Sequence, residues 1–179
     1  MGGYGSGTRF TYGKKTTVED CRVLSAGRLM RQGILRSDLL WRGGLTWNNA
    51  ATGEEVASIG FDADTTRDGG SARLHYTLSR TREAIDYRVG LTTTPLPWGG
   101  LRWWFLCPLI PGARYCGRRV GKLYLPPGGR YFGCRHCHGL TYTSCQESHK
   151  YDACLAAIGA PVGLSARQVA RLLLSERGR

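Results

Sequence analysis

Four cysteines in the second half of the chain have the spacing of a zinc ribbon: Cys107, Cys116, Cys134 and Cys137. Four thiolates can close a tetrahedral site around Zn²⁺, an ion with no geometric preference of its own. The second pair forms a Cys-x-x-Cys turn, and Gly139 follows it where a tight turn needs unusual backbone dihedrals. The sequence therefore predicts one structural Zn²⁺ held by these four side chains.

The first pair departs from the ribbon pattern, because eight residues rather than two separate Cys107 from Cys116. This loop contains proline and glycine, so it can bulge outward and leave the two cysteines adjacent. A turn at 126–129 (PPGG) then brings the second pair back toward the first. His136 or His138 could replace one cysteine as a ligand, although His136 is expected to point outward. The other cysteines are interpreted as structural: Cys21, Cys145 and Cys154.

The 179-residue chain is strongly basic, with 25 Lys and Arg against 13 Asp and Glu and a formal net charge of +12. No Asp or Glu occurs in 87–146, the span that contains the whole cysteine set. Arginine predominates there, and its planar guanidinium suits phosphate and base edges. A high arginine content can also serve solubility alone, but an acid-free span around the cysteines favours a polyanionic partner.

Aromatic residues are interleaved with the basic residues around the cysteines. Nucleic-acid bases can stack on aromatic rings while arginine binds phosphate. Strand alternation must turn about half of these rings inward, and Tyr115 and Tyr131 are the ones expected to be exposed. The predicted nucleic-acid-binding residues are Arg102, Arg114, Tyr115, Arg118, Arg119, Lys122, Arg130, Tyr131 and Arg135.

Apolar residues recur with a period of two from Leu45 onward, which predicts a meander of antiparallel strands with one buried face. The last strand leads directly into Cys107, so the sheet and the metal module are expected to be continuous. The loop at 92–100 is rich in proline and glycine and should break the pattern. The expected strands are 54–61, 72–79, 84–91 and 101–106.

Helices are predicted on both sides of this sheet. A capping-box pattern at Thr16 and Glu19 opens the first N-terminal helix, and Ser25 caps a second one that ends at Gly33. An arginine-rich helix pair is compatible with helix-turn-helix DNA binding, but a suitably placed third helix is missing. A pair that covers the sheet is therefore favoured. The C-terminal helices are expected at 143–157 and 166–175.

These patterns together predict an α+β fold in four segments: a flexible basic arm at 1–15, a helix pair plus antiparallel sheet at 16–97, a zinc ribbon at 98–142 and C-terminal helices at 143–179. No apolar run approaches the roughly 18 residues that a membrane-spanning helix needs. The N-terminus also lacks a secretory signal pattern, which predicts a cytoplasmic protein without a membrane partner.

Several motifs resemble those of a bacterial and phage family without an established activity. They are MGGYGSG at the N-terminus, then GG-R-WF-CP, CGRRV-LY and F-CRHC-GL-Y between Gly99 and Tyr142. More loosely, the cysteine-containing half is similar to the zinc β-ribbons of mobile-element nucleic-acid proteins. The looser resemblance implies a nucleic-acid partner, and neither resemblance implies catalytic residues.

The common catalytic motifs are missing from the sequence: there is no nucleophile elbow, no phosphate-binding Gly-x-x-x-x-Gly-Lys-Ser and no His-Glu-x-x-His. The leading hypothesis is a non-enzymatic zinc-ribbon protein that binds DNA or RNA. The alternative is an adaptor or inhibitor that docks on a host protein or nucleoprotein complex. A weaker alternative is a metal-dependent nuclease that uses the acidic residues of 54–68, although solvated strand and turn positions explain those acids more simply.

Overall fold

The computed structural model describes residues 15–49, 51–147, 152–165 and 168–169. The chain forms two compact units, which we call the central unit (Asp20–Leu140) and the terminal unit (Met1–Glu19 with Thr141–Arg179). Helices and antiparallel strands occur together, so the predicted α+β class is confirmed. The predicted basic arm at 1–15 lies outside the described residues except for Lys15.

The described helices and strands are numbered here in chain order. They are β1 (Arg22–Ser25), α1 (Ala26–Arg31), β2 (Leu39–Asn48), β3 (Glu55–Thr66), β4 (Gly69–Thr77), β5 (Ala84–Pro95), β6 (Leu101–Leu106), β7 (Arg119–Val120), β8 (Lys122–Leu125), α2 (Thr143–Glu147), α3 (Asp152–Gly159) and a 3₁₀ turn at Ala160–Val162.

The predicted antiparallel meander is present in the central unit. Strands β2 to β7 form one six-stranded sheet in sequential order, and β1 pairs with β8 in a separate two-stranded sheet. The sheet extends beyond the predicted strands, because β2 begins at Leu39 and β5 continues to Pro95. The extra residues of β5 pair with the start of β6, where Pro95 lies opposite Leu101.

One face of the six-stranded sheet carries the hydrophobic core, because alternate side chains of each strand point to the same side. Phe61, Leu74 and Phe105 are almost completely buried in it. Side chains of β1, α1 and β8 join the same cluster: Leu24, Ala26, Leu29, Leu123 and Leu125. Helix α1 and the small sheet therefore supply apolar cover for the meander.

The first of the two predicted N-terminal helices is absent, and this prediction is wrong. Thr17 forms an isolated bridge and Arg22–Ser25 is strand β1, which pairs antiparallel with β8. The register joins Arg22 to Leu125 and Ser25 to Lys122. A capping pattern reports local helix propensity only, and pairing with a distant strand overrides it here.

The second predicted N-terminal helix is confirmed as α1. Ser25 adopts an extended backbone conformation, and its hydroxyl accepts a hydrogen bond from the N–H of Arg28 at 3.4 Å. The helix ends before Gly33, whose φ of 74° is readily adopted by glycine. Leu29 is buried on the inner side of this single short helix.

The terminal unit joins the residues around Thr17 to those that follow Leu140. The N–H of Val18 donates to the carbonyl of Thr141 at 2.9 Å, and the carboxylate of Glu19 accepts from the N–H of Thr143 at 3.1 Å. Helical residues are described at Thr143–Glu147 and Asp152–Gly159, where a helix was predicted at 143–157, and residues 148–151 between them lie outside the described residues. Of the helix predicted at 166–175, only residues 168 and 169 are described, and both are helical.

Candidate metal centre and basic groove

The long loop between the first two cysteines returns to its starting point. The N–H of Cys107 donates to the carbonyl of Arg118 at 2.9 Å, and the carbonyl of Cys107 accepts from the N–H of Gly117 at 3.1 Å. These bonds continue the pairing of β6 with β7. The N–H of Cys116 also donates to the carbonyl of Leu109 at 2.9 Å. The loop therefore leaves Cys116 beside Cys107.

The second pair sits in a tight turn at the end of a hairpin. Tyr124 and Gly133 exchange two backbone hydrogen bonds, of 2.8 and 3.0 Å, which bring Cys134 back toward β6. The N–H of Cys134 donates to the sulfur of Cys107 at 3.2 Å, and the N–H of Cys137 donates to the sulfur of Cys134 at 3.4 Å. Such N–H donors stabilise thiolates, as metal sites require.

The four sulfur atoms converge on one point. The Sγ atoms of Cys107 and Cys137 are 3.8 Å apart, those of Cys116 and Cys134 are 4.0 Å apart, and all four lie within 4.8 Å of one another. Tetrahedral coordination at a metal–sulfur distance of about 2.3 Å places sulfurs about 3.8 Å apart. A disulfide needs about 2.05 Å. The arrangement can therefore hold a metal ion and contains no disulfide.

The environment of the thiols sets the pH dependence of metal uptake. Burial raises the pKa of the Cys107 thiol, and burial together with the neighbouring thiols raises the pKa of Cys137. Burial opposes ionisation of Cys116 as well, but the Arg118 N–H and the three other thiols hold its pKa below the ordinary value. A metal ion binds thiolates, so it must displace the protons of the thiols whose pKa is raised. Metal binding therefore releases protons.

Neither nearby histidine joins the four sulfurs in the described structure. His136 is exposed, and His138 is partly buried, with its pKa lowered by that burial. The remaining cysteines, interpreted above as structural, are not fully buried. Cys21 is half-buried and precedes β1, whereas Cys145 and Cys154 are exposed on α2 and α3.

Two tyrosines and a phenylalanine attach the cysteine hairpin to the sheet, a role for which no sequence motif provides a signal. The Tyr87 hydroxyl accepts from the N–H of Phe132 at 2.8 Å, and the Tyr76 hydroxyl donates to the carbonyl of Arg130 at 2.6 Å. The ring of Phe132 is completely buried and stacks on Trp47 at 6.0 Å. The alternating pattern identified both tyrosines as strand residues but not their partners.

A shallow groove of about 360 Å³ runs along the outer side of β6 and β7 toward the second cysteine pair. We call it the basic groove. It is lined by Arg102, Trp104, Arg119, Val120, Gly121, Lys122, Tyr124, Arg135 and His136. Among the described residues, four cationic side chains and no carboxylate face this surface, and four of the nine predicted nucleic-acid-binding residues meet there.

Trp104 organises the cations of the basic groove. The guanidinium carbon of Arg102 lies 4.2 Å from the centre of the Trp104 ring, and that of Arg119 lies 5.6 Å from it. The Thr94 hydroxyl accepts hydrogen bonds from the indole N–H at 3.1 Å and from Arg119 at 3.3 Å. Two cations are thus held on one aromatic ring. Because the two arginine side chains are already ordered, little side-chain conformational entropy is lost when an anion binds.

The other predicted nucleic-acid-binding residues lie outside the groove lining. Arg114, Tyr115 and Arg118 are exposed on or just after the loop between the first two cysteines. Arg130 forms an ion pair with Glu83, and the Tyr131 ring packs edge-on against Tyr87 at 5.2 Å. Trp104 and His136 were absent from the prediction, although both lie in the acid-free span that pointed to this region.

The acidic residues of 54–68 do not form a comparable cluster. Asp62 faces His75, with 3.8 Å between the carboxylate oxygen and the imidazole Nδ1, while Asp64 and Asp68 are exposed. Within the described ranges, the four cysteines are the only group of three or more His, Cys, Asp or Glu residues close enough to hold one metal ion.

None of the described helices is both long and apolar enough to cross a bilayer.

Comparison of the chain with protein-family models, with curated proteins and with solved structures gives no significant match. The resemblance to a bacterial and phage family therefore stays a prediction that depends on the quoted motifs.

Proposed function

We propose that the chain is a non-enzymatic nucleic-acid-binding protein whose four clustered cysteines hold one structural Zn²⁺. The observation that carries this proposal is the basic groove, which presents Arg102, Arg119, Lys122 and Arg135 without a carboxylate and ends beside the cysteine site. The metal stabilises the hairpin that positions one end of the groove, and the groove contacts the phosphates.

Zinc is the metal that best fits the donor set. Four cysteine sulfurs at the spacing of a tetrahedron match structural Zn²⁺, whereas Mg²⁺ and Ca²⁺ need oxygen ligands. Four protein ligands leave no open coordination position for an activated water, so such a zinc ion serves stability rather than hydrolysis. The cluster therefore supports a structural role.

Phosphate binding follows from the charge and placement of the groove residues. The outward register of β6 presents Arg102 and Trp104 on the polar face of the sheet, and Arg119 lies beside them on β7. Phosphate contacts by arginine and lysine release counterions, which makes the affinity fall steeply with salt. Such contacts carry little sequence information, so the groove should bind DNA or RNA with weak sequence preference.

The salt dependence of oligonucleotide binding tests this proposal. Combined Arg102→Ala and Lys122→Ala substitution should weaken binding and reduce the slope of log affinity against log salt by about one unit per lost phosphate contact. The matched control removes the same charge elsewhere, through Arg31→Ala with Arg80→Ala, two exposed side chains on α1 and in the β4–β5 turn. The control pair should leave the slope nearly unchanged.

Two results would contradict this function. Unchanged affinity and slope in a folded groove variant would show that the groove is not the binding surface. Absent oligonucleotide affinity at physiological salt, together with a co-purifying protein that survives nuclease treatment, would favour the adaptor alternative. The exposed apolar side chains Ile110 and Tyr115 near the cysteines are where such a protein partner could dock.

A further inference from the structure

The turn between β5 and β6 holds a tryptophan out in solvent. Trp98 is 85% exposed, the largest exposed fraction among the large apolar side chains of the described residues. The turn is closed by hydrogen bonds from the N–H of Leu96 to the carbonyl of Gly100 and from the N–H of Gly99 to the carbonyl of Leu96, both 3.1 Å. We call residues 96–100 the hairpin tip.

The backbone of the hairpin tip is well defined for a loop. Pro97 fixes its own φ, and Gly99 and Gly100 adopt φ values of 90° and 86°, which side chains other than glycine rarely tolerate. The indole is therefore presented on a pre-organised turn, and little backbone entropy is lost when a flat ligand stacks on it.

An open pocket of about 650 Å³ lies beside the hairpin tip. Leu35, Leu101 and Trp103 supply apolar lining, and Arg36 and Arg67 supply two cations against the single carboxylate of Asp38. The volume is in the range of sites that accept small organic groups. Apolar walls beside cations suit a ligand that combines a flat ring with an anionic group.

The hairpin tip and the basic groove occupy neighbouring parts of the same hairpin. Arg102 of the groove is the second residue of β6, directly after the tip. Cys107 follows the other end of this strand, and six strand residues span about 20 Å. Each strand of a duplex carries one phosphate per about 3.4 Å of helix axis, so the surface from the cysteines to the tip accommodates several nucleotides.

We propose that the hairpin tip binds an unpaired nucleotide, whose base stacks on Trp98 while its phosphates contact Arg36 and Arg67. This inference rests on the proposed nucleic-acid binding and specifies the ligand as single-stranded. Bases inside a duplex are covered by their neighbours, whereas unpaired bases expose the faces on which aromatic side chains stack. The pocket lies on the face of β6 that carries Trp103 and the groove on the face that carries Arg102, so a strand that occupies both passes around the hairpin tip. The tip then selects strands with unstacked bases.

Binding of one oligonucleotide in single-stranded form and as a duplex tests the proposal. Trp98→Ala should weaken single-strand binding about tenfold and leave duplex binding unchanged, because base stacking is lost only for the single strand. Trp98→Phe keeps an aromatic ring and should bind nearly as wild type does. Leu40→Ala removes another exposed apolar side chain, on β2 and outside both proposed binding surfaces, and serves as the control, with no effect expected.

Tryptophan fluorescence provides a second measurement on the same proteins. Stacking should quench part of the emission when the single strand binds, and Trp98→Phe, which still binds, should show less quenching, since only the contribution of groove residue Trp104 remains. Arg67→Ala should weaken single-strand binding, whereas Arg80→Ala, in a turn at the opposite end of the sheet, should not.

The proposal would be overturned if Trp98→Ala reduced the affinity for single strand and duplex equally, or reduced neither affinity. The proposal would also be overturned if substitution of Trp98 abolished binding of a protein partner but left the oligonucleotide affinity unchanged. If Arg102→Ala with Lys122→Ala weakens binding but the Trp98 variants do not, only this inference fails. If wild type binds neither oligonucleotide, the proposed function fails with it.

Discussion

The hydroxyl of Tyr87 accepts a hydrogen bond from the backbone N–H of Phe132 at 2.8 Å, which links strand β5 to the hairpin of the second cysteine pair. Phe132 is completely buried and lies two residues before Cys134. Its N–H has no access to water, so Tyr87 supplies the partner that a buried donor needs. The cysteine hairpin is therefore held on the sheet by a directional contact as well as by apolar packing.

Loss of this contact should destabilise the protein. Tyr87→Phe removes the acceptor but keeps the ring, so the unsatisfied Phe132 N–H should cost about 1–3 kcal/mol in the free energy of unfolding. Tyr76→Phe is the matched control, because its hydroxyl donates to a more exposed carbonyl, that of Arg130, and should cost less. Urea unfolding measures both values, and equal costs would contradict the special role of Tyr87.

The same tyrosine should make the fold sensitive to alkali. Burial, with a further contribution from Tyr76, raises the pKa of Tyr87 above its ordinary value. Its unfolded-state pKa is about 10, so the folded state retains the proton more strongly. The associated stability is fully present below about pH 10 and is lost as the pH rises toward the folded-state pKa.

Unfolding free energies at neutral and at strongly alkaline pH check this expectation. Tyr87→Phe should lose less stability than wild type between the two conditions, because the titrating group is gone. Tyr115→Phe, which alters an exposed tyrosine, should follow wild type. Parallel pH profiles for all three proteins would show that Tyr87 does not control the alkaline loss.

One zinc ion per chain is expected in purified protein. Cys134→Ser should abolish zinc retention and unfold at least 107–140, because binding of a structural zinc is coupled to folding. Cys154→Ser changes an exposed cysteine outside the cluster and should retain the metal. Metal analysis together with circular dichroism checks both variants, and a zinc content unaffected by Cys134→Ser would rule out the site.

The acidic residues on β3 should not contribute to catalysis. Asp62→Asn with Asp64→Asn should leave nucleic-acid binding in place and strengthen it slightly at low salt, since two negative charges are removed. Incubation of a labelled oligonucleotide with Mg²⁺ should give no cleavage by either protein. Cleavage by wild type that these substitutions abolish would instead establish the nuclease alternative.

Local sequence patterns predicted much of the sheet and failed at one helix. Alternating residues such as Phe61, Leu74 and Val89 placed their strands correctly, because a strand with one buried face needs a period of two. The capping pattern that begins at Thr16 predicted a helix where Arg22–Ser25 is a strand. Its pairing with Lys122–Leu125 joins distant segments, which no local propensity encodes.

The sequence alone determined the chemistry of the site. The spacing of the cysteines identified four candidate metal ligands, and 87–146 contains arginine, lysine and aromatic residues but no acidic residue. Only the tertiary structure shows that Cys116 lies beside Cys107 despite their wide spacing, and that Arg102 and Arg119 both lie over the Trp104 ring. It also shows that Arg130 forms an ion pair with Glu83. Residue type sets what a side chain can bind. Which side chains share a surface depends on pairing between strands that are far apart along the chain.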